Sequence, residues 1–327
     1  MKKWILTFLT AMTAFTMQAQ DEVAFEISDG INNASLKSRM EQQVSKLLTA
    51  INKAESSNGY INFKGIDITS MASQSITALW ENVHFRCTDD DIVEHGLSIN
   101  ANGKVKEYQV RNIPVEMKPV DKSYTDDLYQ EVCINFTPTG TISDFNITMG
   151  IQQYTKIMKE GQELKDLDER MQIVNFCDQL MTAYNKKDIQ FMEKVFSEDA
   201  LIITGKVITT KHAEGFTSQK IQYNKQSKQQ YLQNLRGVFK RNSHIKVDFV
   251  EKSIKVKRHP VNTKLYGVTL RQKWTSGTYH DDGWLFLVWD FTDEDAPQIH
   301  VRTWQPAMLN GKPLPDDEIM SFDDIDI

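Results

Sequence analysis

A chain of 327 residues that is 40% hydrophobic and 25% charged has the composition of a globular protein and is too long for one small core, so two domains are expected. A formal net charge of −6 and the lack of a recognisable binding module argue against nucleic acid as a partner. None of the seven histidines falls in an HExxH arrangement and no Cys/His spacing resembles a zinc site, so neither a metal nor a cofactor is expected.

The start, MKKWILTFLTAMTAFTMQAQ, has two lysines, an apolar run and small residues before a polar stretch. That is the layout of a secretory signal peptide, residues 1–19, cleaved after Ala19. No later apolar run reaches the roughly 18 residues of a membrane span. The mature chain is therefore expected to be exported and soluble, in the periplasm or at the cell surface.

Residues 20–35 read as an irregular lead-in to a first domain, 36–150. A helix is predicted from about Leu36 to Glu55, with Met40, Val44, Leu47, Leu48 and Ile51 at helical spacing, and a second near Ser70 to Glu81. Strand-like segments follow, VHFRCT, IVEHGLSI, VKEYQVRNIPVEM, YQEVCINFT and TISDFNITM, separated by turn signals such as NANG and TPTG. Cys87 and Cys133 fall in two of these strands and can form a disulfide if the strands are neighbours, whereas Cys177, among Val174, Phe176 and Leu180, reads as a buried free thiol.

Residues 151–167 read as a charged helical connector to a second domain, 168–306. Its first helix, about Asp168 to Tyr184, buries Ile173, Val174, Phe176, Cys177, Leu180 and Met181 along one stripe. NKKD breaks it, Asp188 can cap a helix from Ile189 to Phe196, and DALIITGKVIT reads as a hairpin turning at Gly205. Lys211 to Lys225 reads as a long connection, a lid in which Lys220, Tyr223 and Lys225 meet an anionic group. Ser227 and Gln230 have capping-box spacing ahead of a third helix. Four strands finish the domain: about His244 to Lys257, Leu265 to Trp274, Gly283 to Phe291 and Gln298 to Trp304.

From Lys206 to Arg258 the chain carries 13 Lys or Arg against Glu214, Asp248 and Glu251, while the end, 307–327, holds six acids in PLPDDEIMSFDDIDI. A solvated face with a disordered tail is one reading, and a tail docked on the basic region is the other.

The stretch WLFLVWDFTDEDAPQIHVRTWQP, Trp284 to Pro306, alternates in type. If Asp290 pairs opposite His300, then Trp284, Phe286, Asp290, His300, Arg302 and Trp304 share a mixed face, and Leu285, Leu287, Trp289, Phe291, Ile299 and Val301 share an apolar one. An amphipathic helix buries its stripe against an apolar sheet face, so the apolar side is the expected inner wall. The mixed side is then a domain or subunit interface, with an inward polar pocket or a plain surface as alternatives. Asp290 with His300 is the one acid–base pair to nominate for catalysis.

The order helix, helix, hairpin, helix and four strands, with TAYNKKDIQFMEKVFSEDALI, resembles the nuclear-transport-factor-2-like (SnoaL-like) superfamily over about Asp168 to Pro306. The resemblance implies an α+β fold, a cone of curved antiparallel sheet packed on three helices. TPTGTISDFNITM looks like the closing hairpin of the same superfamily, so the first half, helices followed by antiparallel strands, is read as a diverged second copy. The superfamily includes isomerases, dehydratases, hydrolases and non-catalytic binding modules, so the fold does not name a reaction. Against its ketosteroid isomerase members, the base position falls on Thr204 and the tyrosine position on Leu180, and neither side chain can do that work. Tyr184, near the mouth end of the first helix, and Trp274 are candidates to line a cleft. The resulting expectation is an exported, non-catalytic module that binds a small hydrophobic ligand or an envelope protein, as a monomer with internal domain pairing or a homodimer. The alternative is a lyase, isomerase or hydrolase using a pocket within the cone.

Overall fold

The computed structural model describes residues 21–120, 129–161, 163–250 and 253–325, and the expected leader lies outside them. The first unit runs β1 (Ala24–Ile27), α1 (Ala34–Ser56), α2 (Ser70–Asn82), β2 (Val83–Cys87), β3 (Asp91–Glu94), β4 (Gly96–Ala101), β5 (Lys104–Pro119), β6 (Tyr129–Phe136) and β7 (Ile142–Ile147). Side-chain caps start both helices: Asn33 accepts from the Leu36 amide and Thr69 from the Ala72 amide. The sheet is antiparallel in the order β2-β5-β6-β7, with β4 on a second stretch of β5. Phe85, Val132, Ile134 and Phe145 on one of its faces are buried with Val44, Leu48 and Ile76 of the two helices. The segment expected as one strand, IVEHGLSI, divides at His95, because β3 pairs with β1 whereas β4 pairs with β5.

All three cysteines are buried and free, which corrects the expected Cys87–Cys133 bridge. Cys87 stands opposite Val115 of β5, and Cys133 lies on β6, beyond β5. Strands two apart are separated by about 10 Å, outside the roughly 4.4–6.8 Å that a disulfide spans between Cα atoms.

The second unit runs α3 (Ile151–Lys159), α4 (Leu164–Asn185), α5 (Ile189–Val195), β8 (Phe196–Lys211), β9 (Thr217–Ser227), α6 (Lys228–Arg241), β10 (Lys246–Phe249), β11 (Lys255–Arg258), β12 (Leu265–Ser276), β13 (Tyr279–Asp290) and β14 (Gln298–Pro306). Its sheet has the order β10-β12-β13-β14-β8-β9, with β11 also on β12, and every pairing is antiparallel except β14 with β8. This curved sheet closes around α4, α5 and α6 as the expected α+β cone. β8 does not turn at Gly205 but continues to Lys211, and the reversal comes at residues 212–216. The glycine serves close approach instead: a Cβ there would lie 2.9 Å from the Ile221 side chain and 3.0 Å from the Trp304 carbonyl oxygen. The expected lid is therefore a strand, with Lys220, Tyr223 and Lys225 on β9.

The single buried stripe expected on α4 extends around the helix. Ile173, Val174, Cys177 and Leu180 join the main core, and Phe176 stacks on Trp289 at 4.8 Å between ring centres. Asn175, Asp178 and Thr182 are buried against the first unit's sheet. There the Arg111 Nη1 lies 2.5 Å from Asp178 Oδ2, and the Gln109 Nε2 donates to both Asn135 and Asn175. The two units thus meet through α4, which packs on the face of the first unit's sheet opposite α1 and α2, and not through the mixed face of β13 and β14 where the interface was expected. Among the described residues the first unit has no counterpart of α6 between its strands.

The outer face of the cone sheet is occupied by the chain's own end. Leu265, Phe286, Val288 and Val301 form a cluster closed by Leu201, Met320, Phe322 and Ile325. The Phe322 ring meets Phe286 edge-on at 5.5 Å, and Gln305 donates to the Glu318 carbonyl and accepts from the Met320 amide. Among the described residues, the ion pair of Lys255 with Asp316 at 3.6 Å reaches the basic stretch. The tail is therefore ordered through residue 325 and held mainly by apolar burial, not by the charge asymmetry.

Candidate functional site

The register of β13 with β14 redistributes the residues expected on one mixed face. Leu285 pairs with Trp304 and Leu287 with Arg302, but a bulge intervenes after Val288–Val301, so that Trp289 pairs with Ile299 and His300 has no partner. One extra residue reverses the parity of everything beyond it. Arg302 and Trp304 therefore turn into the cone with Leu285 and Leu287, and Val301 moves from the expected inner wall to the outer cluster with Phe286. Trp284 shares the parity of Phe286. At the bulge the His300 Nε2 lies 3.3 Å from Asp290 Oδ2 and its Nδ1 lies 3.8 Å from Asp199 Oδ1. This cluster is apart from the residues that line the cone.

The cone encloses a cavity of about 480 Å³, open to solvent, between α6 and strands β8, β9, β12, β13 and β14. Arg302, Trp304, Trp274, Tyr231, Gln272 and Asp281 give it its chemistry. Local sequence positions Tyr231: Ser227 accepts from the Gln230 amide, Gln230 accepts from the Ser227 amide, and α6 begins at that box. The Tyr231 hydroxyl lies 2.6 Å from that of Tyr184, whose ring meets Trp274 edge-on at 5.5 Å. Tyr184 thus sits behind the floor, and Trp274 lines the pocket itself. Trp304 owes its place to a glycine: a Cβ on Gly283 would fall 2.5 Å from the indole ring.

Arg302 is the unusual group. It is 6% exposed, its guanidinium carbon lies 5.1 Å from the centre of the Tyr231 ring, and its Nε and Nη1 have no hydrogen-bond partner among the described residues. It makes no ion pair with any described carboxylate. Burial works against its charge, but Tyr231, Tyr184 and Asp281 outweigh burial and hold the guanidinium protonated. The Trp304 Nε1, Gln272 Oε1 and Asp281 Oδ1 are likewise buried without partners. Asp281 Oδ2 accepts from the Tyr279 hydroxyl at 2.9 Å. Burial pushes the Asp281 carboxyl above its ordinary range, opposed by the Tyr279 hydrogen bond and the Arg302 charge. The Tyr231 hydroxyl is pushed well up by burial and stays neutral.

Of the other sequence candidates, Thr204 lines the cavity and Leu180 is core. Tyr223 lies elsewhere, its hydroxyl accepting from Gln305 Nε2 at 2.8 Å, and Lys220 and Lys225 do not line the cavity. Tyr231, Gln272 and Asp281 escaped the sequence reading, the first because a tyrosine in a helical stripe reads as core. Among the described residues no cluster of His, Cys, Asp and Glu could hold a metal, and no helix is long and apolar enough to cross a membrane.

No family model and no curated protein matches the chain. Similar solved structures include the Bdellovibrio bacteriovorus protein Bd1075, 14% identical over 44% of this chain and 43% of that one, with a TM-score of 0.32. An NTF2-like protein from Cytophaga hutchinsonii is 14% identical over 42% of this chain and 98% of its own, with a TM-score of 0.31. A nuclear transport factor 2 (NTF2-like) superfamily protein from Salmonella enterica is 12% identical over 43% of this chain and 92% of its own, with a TM-score of 0.33. The chain thus spans less than half the length of Bd1075, and it covers nearly the whole of the two NTF2-like proteins.

Proposed function

We propose that the second unit is a binding module whose cone holds one small ligand, with the first unit as its support, in an exported protein. The observation that carries this reading is the cavity of about 480 Å³ lined by a buried arginine with no paired carboxylate and two of its three nitrogens without a hydrogen-bond partner among the described residues. Ligand pockets for small molecules fall at about 300–1,000 Å³, with apolar walls and a few convergent polar groups. A non-catalytic role is supported by the pocket's inventory: among the described residues Asp281 is its one carboxyl group, and no histidine, cysteine or lysine lines it. The leader-like first 19 residues support export. A second reading, a lyase or isomerase, rests on Asp281 as a base whose raised carboxyl shares the pocket with Arg302.

Native mass spectrometry of the gently purified protein, before and after denaturation, tests the binding reading. A released small molecule is expected. A bare protein that shows no thermal shift with a panel of small amphiphiles would overturn it. Turnover that Asp281→Asn abolishes would favour the enzyme instead.

A further inference from the structure

The chemistry of the pocket narrows the ligand, on the premise that the cone is the binding site. A buried cation with no carboxylate paired to it loses several kcal/mol of hydration, and a tyrosine face and an unpaired carboxylate across the pocket restore only part of it. Arg302 has that deficit, with two of its three nitrogens unpartnered and its side chain lining the cavity. A guanidinium presents paired N–H groups that match the two oxygens of a carboxylate. The unpartnered indole Nε1 of Trp304 supplies a further donor in the same cavity.

The rest of the lining limits what the anion can carry. Trp274, Trp304, Leu235 and Val238 offer ring faces and aliphatic surface, which suit an apolar or aromatic body. Asp281 adds an opposing charge, so a second negative charge on the ligand would meet repulsion in a site of low dielectric. Its free Oδ1 can accept from a hydroxyl or N–H on the ligand. Arg241, at the exposed mouth, adds long-range attraction without a fixed contact.

We infer that the cone binds a monocarboxylate with an apolar or aromatic body, its carboxylate on Arg302 and its body between Trp274 and Trp304, and that Asp281 excludes dianions such as phosphate monoesters.

The test is calorimetry on full-length protein whose native mass shows no bound molecule, with three probes: 3-phenylpropanoate, 3-phenylpropanol and phenyl phosphate. The acid should bind at least about tenfold more tightly than the alcohol, as a charge-assisted pair implies. Arg302→Met should remove that difference, and Asp281→Asn should tighten phenyl phosphate by about fivefold or more. Equal binding of acid and alcohol, or undiminished acid binding by Arg302→Met, overturns the inference while the cone remains a binding site. If none of the probes binds the folded protein, the inference is overturned, while the binding reading stands or falls on the native-mass and thermal-shift test above. Should Arg302→Met not fold, Asp281→Asn decides: continued exclusion of phenyl phosphate overturns the charge argument, and its admission supports it.

Discussion

Two buried arginines in this molecule meet opposite fates. Arg111, on β5, is 2% exposed and has its counter-charge in place, with Asp178 of α4 at 2.5 Å and the Gln109 Oε1 at 3.0 Å, although its Nε and Nη2, like two nitrogens of Arg302, have no hydrogen-bond partner among the described residues. Asp178 is itself held, since its other oxygen accepts from the Met149 amide at 2.7 Å. Arg302, on β14, is almost as buried but has no paired carboxylate, only the Tyr231 face, the Tyr184 hydroxyl and the unpaired Asp281 about an open cavity. What separates the two is the paired carboxylate, and a buried charge paired within the chain fixes how two units sit, because any other docking would strand it. A buried charge left unsatisfied beside a cavity points to something outside the chain.

The sharpest way to break this contrast is to remove one partner of the closed pair. Asp178→Ala leaves Arg111 buried and alone and should cost about 3–5 kcal/mol, read from urea midpoints, whereas the double change Arg111→Met with Asp178→Leu should recover most of the loss. The matching change in the open site should behave differently. Arg302→Met breaks no close ion pair and leaves only the unpaired Asp281, which can take up a proton, so the ligand-free protein should be unchanged or about 1–2 kcal/mol more stable. A loss above about 2 kcal/mol would reveal a structural partner for Arg302 and weaken the contrast.

The smallest effect belongs to a solvent-facing version of the closed pair. Glu294, before β14, is held down to about 2 by hydrogen bonds from Lys165 of α4 and Lys264. Its folded value lies below the unfolded value of about 4.3, so its contribution is present above that pH and disappears as pH falls toward 2. Glu294→Gln should therefore lower stability at neutral pH by no more than about 1 kcal/mol after solvent screening, and should flatten the melting-temperature profile over that acid window.

Much of the second unit is legible locally. Asp188 caps α5 by accepting from the Phe191 amide, and the Ser227–Gln230 box opens α6, both as the spacing of residue types implies. Helix caps are settled within four residues, so they can be read from sequence. The candidate site is legible only in part: Trp274 reads as a cleft residue and lines the cavity, but the alternation of the last strand puts Arg302 and Trp304 on the side opposite to the one they occupy. The reason is the extra residue at His300, which nothing in the alternation of QIHVRTW announces. Gly205 misled in the same way, since a glycine needed for close approach to Ile221 and Trp304 looks the same in sequence as one needed for a turn.

The sequence by itself determined the α+β layout, the helices and their caps, and the presence of aromatic and charged residues in the last strands, because these depend on contacts a few residues apart. The tertiary structure alone decided the free state of Cys87 and Cys133, the burial of α4 on both sides, the closing of the outer sheet face by Met320 and Phe322, and the inward turn of Arg302. Each of these depends on strand order or register, which long-range pairing sets, and a one-residue shift in register exchanges the inside of a sheet for its outside.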